Sequence, residues 1–276
     1  FALRRGYDWF LPYYRDIALM LALGYTPRDF ALSMMGKSED ITSAGRQMPS
    51  HWSLRSANVP SQSATVATQT SHAAGIGLAI KLRGEDKVVL TCIGEGSTSQ
   101  GEWYEGVNWA AIHRLPVIFL VQNNQYAISE RVERQMAVPG PAAKACGLGL
   151  DGREVDGTDI FQVYEVIAEV AEKARRGEGP SLIEAKLYRI TPHSSDDDDR
   201  TYRSREEVEA HKKRDPLLIA QAILEKEGVL TPKKLEELEA KAKRIVDEAV
   251  AYAEQAPYPV VDDNATRVFA GEVSHA

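Results

Sequence analysis

Cysteine is scarce: 276 residues carry only 2, Cys92 and Cys146, far apart and each without a second cysteine at metal-ligand spacing. That argues against a disulfide scaffold or a zinc site and suits a reducing compartment. No apolar run reaches the roughly 20 residues that span a bilayer. Residues 1–5 lack both a signal-peptide pattern and an initiating Met, so the chain is expected to begin inside a longer protein, soluble and intracellular. Basic excess is missing too. Lys+Arg 33 against Asp+Glu 40 leaves a net charge of −7, a poor basis for gripping a nucleic-acid backbone. Repeats are absent, and the one low-complexity stretch is residues 196–199. With 43% apolar and 26% charged residues, collagenous, mucin-like and disordered readings fall away.

Two periods alternate through the middle of the chain. Residues 88–93 and 117–121 are β-branched apolar runs that predict buried strands, and 181–185 is a weaker third. Helical patterns cover 65–82, 102–113 and 160–176. Strands separated by helix-length segments predict βαβ units, hence an α/β fold with a parallel sheet flanked by helices. Thr231-Pro232 reads as an N-cap followed by proline at the first helical position. Beyond it Leu235, Leu238, Ala242, Ile245, Val246, Ala249 and Ala253 recur at helical spacing, as in a packing helix with a charged outer face. The expected organisation is an α/β domain over 1–215 with a helical C-terminal extension, 216–276, of the same domain.

The first strand runs into Gly94-Glu95-Gly96-Ser97-Thr98-Ser99-Gln100-Gly101, and a helix follows. Such a turn can offer bare backbone N–H groups to an anion. A P-loop requires Lys and then Ser or Thr after its second glycine, but Gly101 is followed by Glu102-Trp103. A dinucleotide turn wants a third glycine where Ser99 stands and an acidic residue at the end of the next strand, which here ends in Gln122-Asn123-Asn124. A diphosphate held through a divalent cation fits better. Glu95 and Asn124 would supply a carboxylate and an amide carbonyl from adjacent strand ends, and the Tyr126 backbone a third oxygen. A solvated turn carboxylate is the plain alternative for Glu95.

Gly94-Glu95-Gly96, 26 intervening residues and Asn123-Asn124 resemble the thiamin diphosphate motif. The chain is similar over nearly its whole length to the alpha subunit of the decarboxylating component of 2-oxo acid dehydrogenase complexes, of the branched-chain type. The likeness includes Tyr13-Tyr14-Arg15-Asp16, the stretch from Gly45 to His51, Ala67-Thr68-Gln69, Tyr126-Ala127-Ile128-Ser129, Val155-Asp156-Gly157, the stretch from Gly177 to Glu184, Tyr188-Arg189, Pro192-His193-Ser194-Ser195-Asp196-Asp197 and Tyr202-Arg203. Family members carry a further N-terminal region before the Tyr-Arg motif.

That resemblance implies a thiamin diphosphate-binding fold. It also implies Mg²⁺ on Glu95, Asn124 and the Tyr126 carbonyl, with Gly94, Gly96 and Ser97 near the diphosphate. Tyr14 and Arg15 would bind the diphosphate, where a guanidinium fork pairs well with phosphate. Some members place an arginine where Gln122 stands. Ala64 and Val66 would contact the aminopyrimidine ring, with helix-start packing the alternative for Val66. Ser63, Thr65, Thr68 and Gln69 match a potassium site of some members, although hydroxyls also serve as simple caps. His193 would stand over the thiazolium, with a near-neutral pKa suited to moving protons, and His51 would line the channel. His72, His113 and His211 read as structural. Ser194 and Ser204 align with serines phosphorylated in mitochondrial relatives; a phosphate on Ser194 would disorder its acidic loop by repulsion.

The implied activity is that of a 3-methyl-2-oxobutanoate (2-oxoisovalerate) dehydrogenase alpha subunit. It couples oxidative decarboxylation to acyl transfer onto lipoamide. Pyruvate or acetoin dehydrogenase is the alternative substrate reading, and a scaffold that has lost the cofactor the non-enzymatic one. The glutamate that activates the cofactor cannot be placed in this chain. The implied partners are therefore a beta subunit in an α2β2 heterotetramer and a lipoyl-bearing acyltransferase core, with no nucleic acid and no membrane. The expected compartment is the cytoplasm of a prokaryote or the mitochondrial matrix of a eukaryote.

Overall fold

The computed structural model describes residues 1–261; the end of the expected extension, 262–276, lies outside them. In chain order come β1 (Trp9–Leu11), α1 (Ile17–Leu23), α2 (Pro27–Met34), α3 (Thr68–Leu82), β2 (Val89–Gly94), a 3-10 turn over Glu95–Ser99 and α4 (Gly101–Ile112). β3 (Val117–Asn123) leads into a small hairpin, β4 (Tyr126–Ala127) and β5 (Glu130–Arg131), then α5 (Val132–Gln135) and α6 (Pro141–Gly147). β6 (Asp151–Asp156), α7 (Ile160–Arg175) and β7 (Ser181–Lys186) complete the sheet, and α8 (Arg205–Lys212), α9 (Pro216–Lys226) and α10 (Pro232–Gln255) follow.

The main sheet runs β1-β2-β3-β7-β6, and every neighbouring pair is parallel. The α/β fold with a helix-flanked parallel sheet expected from the alternating periods is therefore present. Successive side chains of β2 and β3 point to opposite faces, and both faces are covered. Leu90, Cys92 and Ile118 join Ile167, Val170 and Ala174 of α7 in one apolar cluster. Val89, Ile93, Val117 and Phe119 join Ala73 and Ile80 of α3 and Trp103, Val107 and Ala110 of α4 in the other. Each large side chain buried there contributes about 1.5–3 kcal/mol. α3 and α4 press so close that a Cβ on Gly106 would lie 2.8 Å from the Ser71 nitrogen.

Three expectations change. The main sheet gains two strands, and both are edges: β1 has three residues, and β6 reads Asp-Gly-Arg-Glu-Val-Asp with only Val155 buried. β1 is apolar, Trp-Phe-Leu, but too short to register as a run, and β6 carries no apolar run because an edge strand needs to cover little. α3 starts at Thr68 rather than 65, because Ala67 adopts a left-handed backbone (φ 74°) that a helix cannot contain. α10 has its expected cap, the Thr231 hydroxyl accepting the Lys234 N–H, but a shorter packing face. Only Ala249 and Ala253 of the apolar series are buried, against Ala31 and Leu32, while Leu238 and Val246 are about half exposed (49% and 55%). The partner helix α2 has 8 residues, too few to cover a helix of 24.

Candidate active site

Parallel strands bring their carboxyl ends to one edge, where ligands of such sheets gather. Gly94 pairs with Gln122 and Asn123 with Lys186, so β2, β3 and β7 end almost level. β1 ends beside them and releases the chain into Tyr13, Tyr14 and Arg15. A cavity of about 350 Å³ opens there, lined by Tyr14, Arg15, Val66, Gly94, Glu95, Gly96, Ser97, Asn124, Tyr126 and His193 together with Tyr13, Ala127 and Ile128. Residues from five separate stretches thus meet in one place. A larger cleft of about 500 Å³ lies farther along the same edge. Its charges are already paired, Lys186 with Glu154, Arg214 with Asp156 and Arg131 with Glu207.

Glu95 opens the 3-10 turn and is 1% exposed. Its Oε2 accepts the Asn124 N–H (3.2 Å) and its Oε1 the Gln135 amide (3.4 Å), so the two halves of the motif are bonded to each other. Among the described residues Glu95 joins no ion pair. Burial pushes its carboxyl above the ordinary glutamate value, against those hydrogen bonds and the charge of Arg15. A buried carboxylate without a cation is costly, so the donor set suits a hard divalent ion. The Asn124 Oδ1 accepts the Tyr126 N–H (3.3 Å). The Tyr126 carbonyl accepts from Arg189 (3.3 Å), which leaves it one lone pair for a further partner. Gly94 faces open space, and a Cβ on Gly96 would lie 2.7 Å from the Ala127 Cβ, so the hairpin's approach requires glycine.

Arg15 donates to the Tyr13 and Tyr14 hydroxyls (3.3 and 3.4 Å) and, among the described residues, joins no ion pair. A half-buried guanidinium held by two phenols suits an anion. Gln122 donates to the buried Asp16 (2.6 Å) and accepts from the Tyr13 hydroxyl (3.4 Å), which ties the end of β3 to this stretch. Burial pushes the Asp16 carboxyl up to about 6.

His193 lies on a loop held from below. Its backbone N–H donates to Asp197, which also accepts from the Tyr202 hydroxyl. Arg189 bonds that hydroxyl and the Ile128 carbonyl, while Arg203 donates to the carbonyls of Arg189 and Thr191. The imidazole stands edge-on to Tyr14 at 6.5 Å, and its Nδ1 is buried without a hydrogen-bond partner. Burial, then the charges of Arg189 and Arg15, hold its pKa below the ordinary value, so it is neutral at pH 7.

Ala64 and His51 are not among the lining residues; the His51 ring contacts the carbonyls of Met48 and Pro49 (3.1 Å each). Val66 lies in the turn before α3 and is 42% exposed, so helix-start packing does not describe it. Of the four residues of the expected potassium site, Thr68 bonds Glu102 (2.6 Å), Ser63 accepts the Thr65 N–H (3.1 Å), and Gln69 donates to the Cys92 carbonyl (3.1 Å). The Gln69 Oε1 is buried and without a partner. Ser204 caps α8 by accepting the Glu207 N–H, Ser194 is exposed, and His211 stacks on Tyr188 (3.8 Å). Sequence reasoning passed over Gln135 and gave Asp16, quoted only within its motif, no role at the site; their partners Glu95 and Gln122 lie 40 and 106 residues away.

A family model described as dehydrogenase E1 component matches residues 1–262. The 2-oxoisovalerate dehydrogenase subunit alpha of Bacillus subtilis is 46% identical over 98% of this chain and 82% of its own length. The 3-methyl-2-oxobutanoate dehydrogenase subunit alpha of Mycobacterium tuberculosis is 37% identical over 96% of this chain and 70% of its own. The pyruvate dehydrogenase E1 component subunit alpha of Bacillus cereus is also 37% identical, over 93% and 67%.

Proposed function

The chain belongs to the dehydrogenase E1 component family, and we propose that it works as the alpha subunit of a branched-chain 2-oxo acid dehydrogenase with 2-oxoisovalerate as substrate. Family membership implies thiamin diphosphate and a beta-subunit partner. The observation that carries the reading is the convergence of Glu95, Asn124 and Tyr126 with Tyr14, Arg15 and His193 on one cavity. The choice of substrate rests on the 46% identity to the Bacillus subtilis subunit, since at 37% the branched-chain and pyruvate relatives are level.

Glu95, the Asn124 amide oxygen and the Tyr126 carbonyl would hold Mg²⁺, with the diphosphate lying against Gly94, Gly96, Ser97, Tyr14 and Arg15. Ala64 and Val66 would meet the aminopyrimidine. When bound, thiamin diphosphate supplies the electron sink that lets a 2-oxo acid lose CO₂. Arg15 and the metal ligands orient that group. The neutral His193 imidazole, with its free Nδ1, can hold or move a proton at a substrate oxygen. Among the described residues Glu95 is the only carboxylate lining the cavity, which supports supply of an activating carboxylate by the beta subunit. The half-exposed Val66 and Ile128 at the cavity (42% and 57%) fit a mouth covered by that partner. An α2β2 assembly, a lipoyl-bearing acyltransferase core and His51 in the channel complete the proposal. The orphaned Gln69 Oε1 supports K⁺ beside Ser63, Thr65 and Thr68. Among the described residues no helix is long and apolar enough to cross a membrane; a bacterial cytoplasm or mitochondrial matrix is proposed.

The test is to co-express the chain, with whatever precedes Phe1 in the natural protein, and its beta subunit. Thiamin diphosphate is titrated by calorimetry with Mg²⁺ and with excess chelator, and 2-oxoisovalerate is assayed against pyruvate. Metal-dependent binding with faster turnover of the branched acid is expected. A preference for pyruvate would keep the site and overturn the substrate. Absence of binding by the assembled pair would overturn the cofactor site and leave a scaffold role.

A further inference from the structure

β7 is an apolar strand with one charge inside it, Glu184, which is 0% exposed. Among the described residues no cation lies within ion-pair distance. Its two oxygens accept neutral donors instead, Oε1 the Asn123 amide (2.7 Å) and Oε2 the Ala142 N–H (2.9 Å). The chain has also made room for the carboxylate, because a Cβ on Gly140 would lie 2.6 Å from both oxygens. Desolvating an unpaired carboxylate costs several kcal/mol, and an apolar side chain would pack as well in a strand. Something other than packing keeps it there.

We infer that Glu184 is a positioning residue for the metal-binding turn, acting through Asn123; the inference rests on the cofactor reading proposed above. An Asn side chain has one oxygen and one NH₂, and which way it points is decided by its partners. Glu184 can only accept, so it takes the Asn123 NH₂ and aims Oδ1 at the next turn. There Oδ1 receives the Gln125 N–H (3.1 Å) and the Gln125 side-chain amide (3.3 Å). That bond secures Gln125 in a left-handed conformation (φ 75°), which a non-glycine residue rarely adopts. The twist sits between Asn124 and Tyr126, the two residues of this turn that face Glu95 across the cavity. The carboxylate thus fixes the geometry of two ligands without touching either.

Glu184→Gln keeps shape and removes the acceptor-only character. If the substituted amide turns its oxygen to the Ala142 N–H, its NH₂ meets the Asn123 NH₂. If Asn123 flips to relieve that, its own NH₂ meets the Gln125 N–H. One donor–donor conflict remains either way. Combining Glu184→Gln with Asn123→Asp resolves it. The new amide accepts from Ala142 and donates to the new carboxylate, whose other oxygen accepts from Gln125. The charge is conserved and every donor has an acceptor.

The complex with its beta subunit is titrated with Mg²⁺ at saturating thiamin diphosphate by calorimetry, alongside melting without cofactor. The single variant Glu184→Gln is expected to raise the Mg²⁺ half-saturation about 10–100-fold, as loss of a group behind a metal ligand does. kcat at saturating metal should stay within about twofold, and the double variant should return half-saturation to within about threefold of wild type. A single variant that melts lower with unchanged half-saturation overturns the inference, because the role is then only structural. So does a double variant that fails to assemble or to recover affinity, including when the single variant does not fold. A wild type without metal-dependent binding would instead sink the cofactor site itself.

Discussion

Glu95→Gln should move the stability of the unloaded and loaded protein in opposite directions. In the unloaded protein the Glu95 carboxylate is buried without a cation, a cost of several kcal/mol. It is offset by two hydrogen bonds, from Asn124 and Gln135, at 3.2 and 3.4 Å, worth about 1.5–3 kcal/mol each when short and charge-assisted. These are long, so a net destabilisation of about 1–2 kcal/mol remains. Glutamine keeps the volume, and the partnerless Gln135 Oε1 is free to accept its NH₂. At about 2–4 °C per kcal/mol for a domain of this size, the melting temperature should rise by roughly 2–8 °C. The pH dependence has a definite sign. Burial raises the folded-state pKa of Glu95, so the folded protein binds the proton more tightly. Stability is therefore highest on the acid side and falls as pH rises from the ordinary glutamate value to the raised one; glutamine removes this part of the slope. With Mg²⁺ and thiamin diphosphate at 100 times their Kd, the wild type should gain about 2.7 kcal/mol and the variant almost none. Differential scanning fluorimetry of the assembled protein, with and without ligands, reads both effects. A variant that melts lower than wild type when unloaded, yet keeps the ligand-induced rise, would refute the reasoning.

Asp16→Asn should act with the same sign. The folded value of about 6 stands above the unperturbed 3.8, so wild-type stability should decline by roughly 3 kcal/mol across that interval. Urea unfolding at pH 4 and 7 should find the decline largely gone in the variant. Gly96→Ala drives its methyl into Ala127, 2.7 Å away; a loss of about 1–3 kcal/mol together with weaker cofactor binding is expected by denaturation and calorimetry. Arg175→Met leaves Asp8, 0% exposed and bonded at 2.6 Å, without its cation. Chemical denaturation should record a loss of about 3–5 kcal/mol, with no change in metal half-saturation in the stable fraction.

Much was legible locally. Strands β2, β3 and β7 carry apolar character on both faces because both faces are buried, and a run of that kind needs no knowledge of its partners. The glycines around Glu95, the paired asparagines at the end of β3 and the Thr231-Pro232 cap are likewise written in adjacent residues, since each answers a constraint of the nearby backbone. The chemistry of the donors, carboxylate, amide and guanidinium, follows from residue type alone. Only the tertiary structure decided which of these meet. β1, with three residues, has too little local signal to register, yet its pairing with β2 brings Tyr14 and Arg15 to the cavity. Arg189 reaches the Tyr126 carbonyl across 63 positions, and Glu184 the Asn123 amide across 61. Such contacts depend on strand order and loop closure, which no local period encodes. The Glu95 carboxylate is high in energy for the same reason: its burial comes from the walls that β3, the hairpin and α5 build around it.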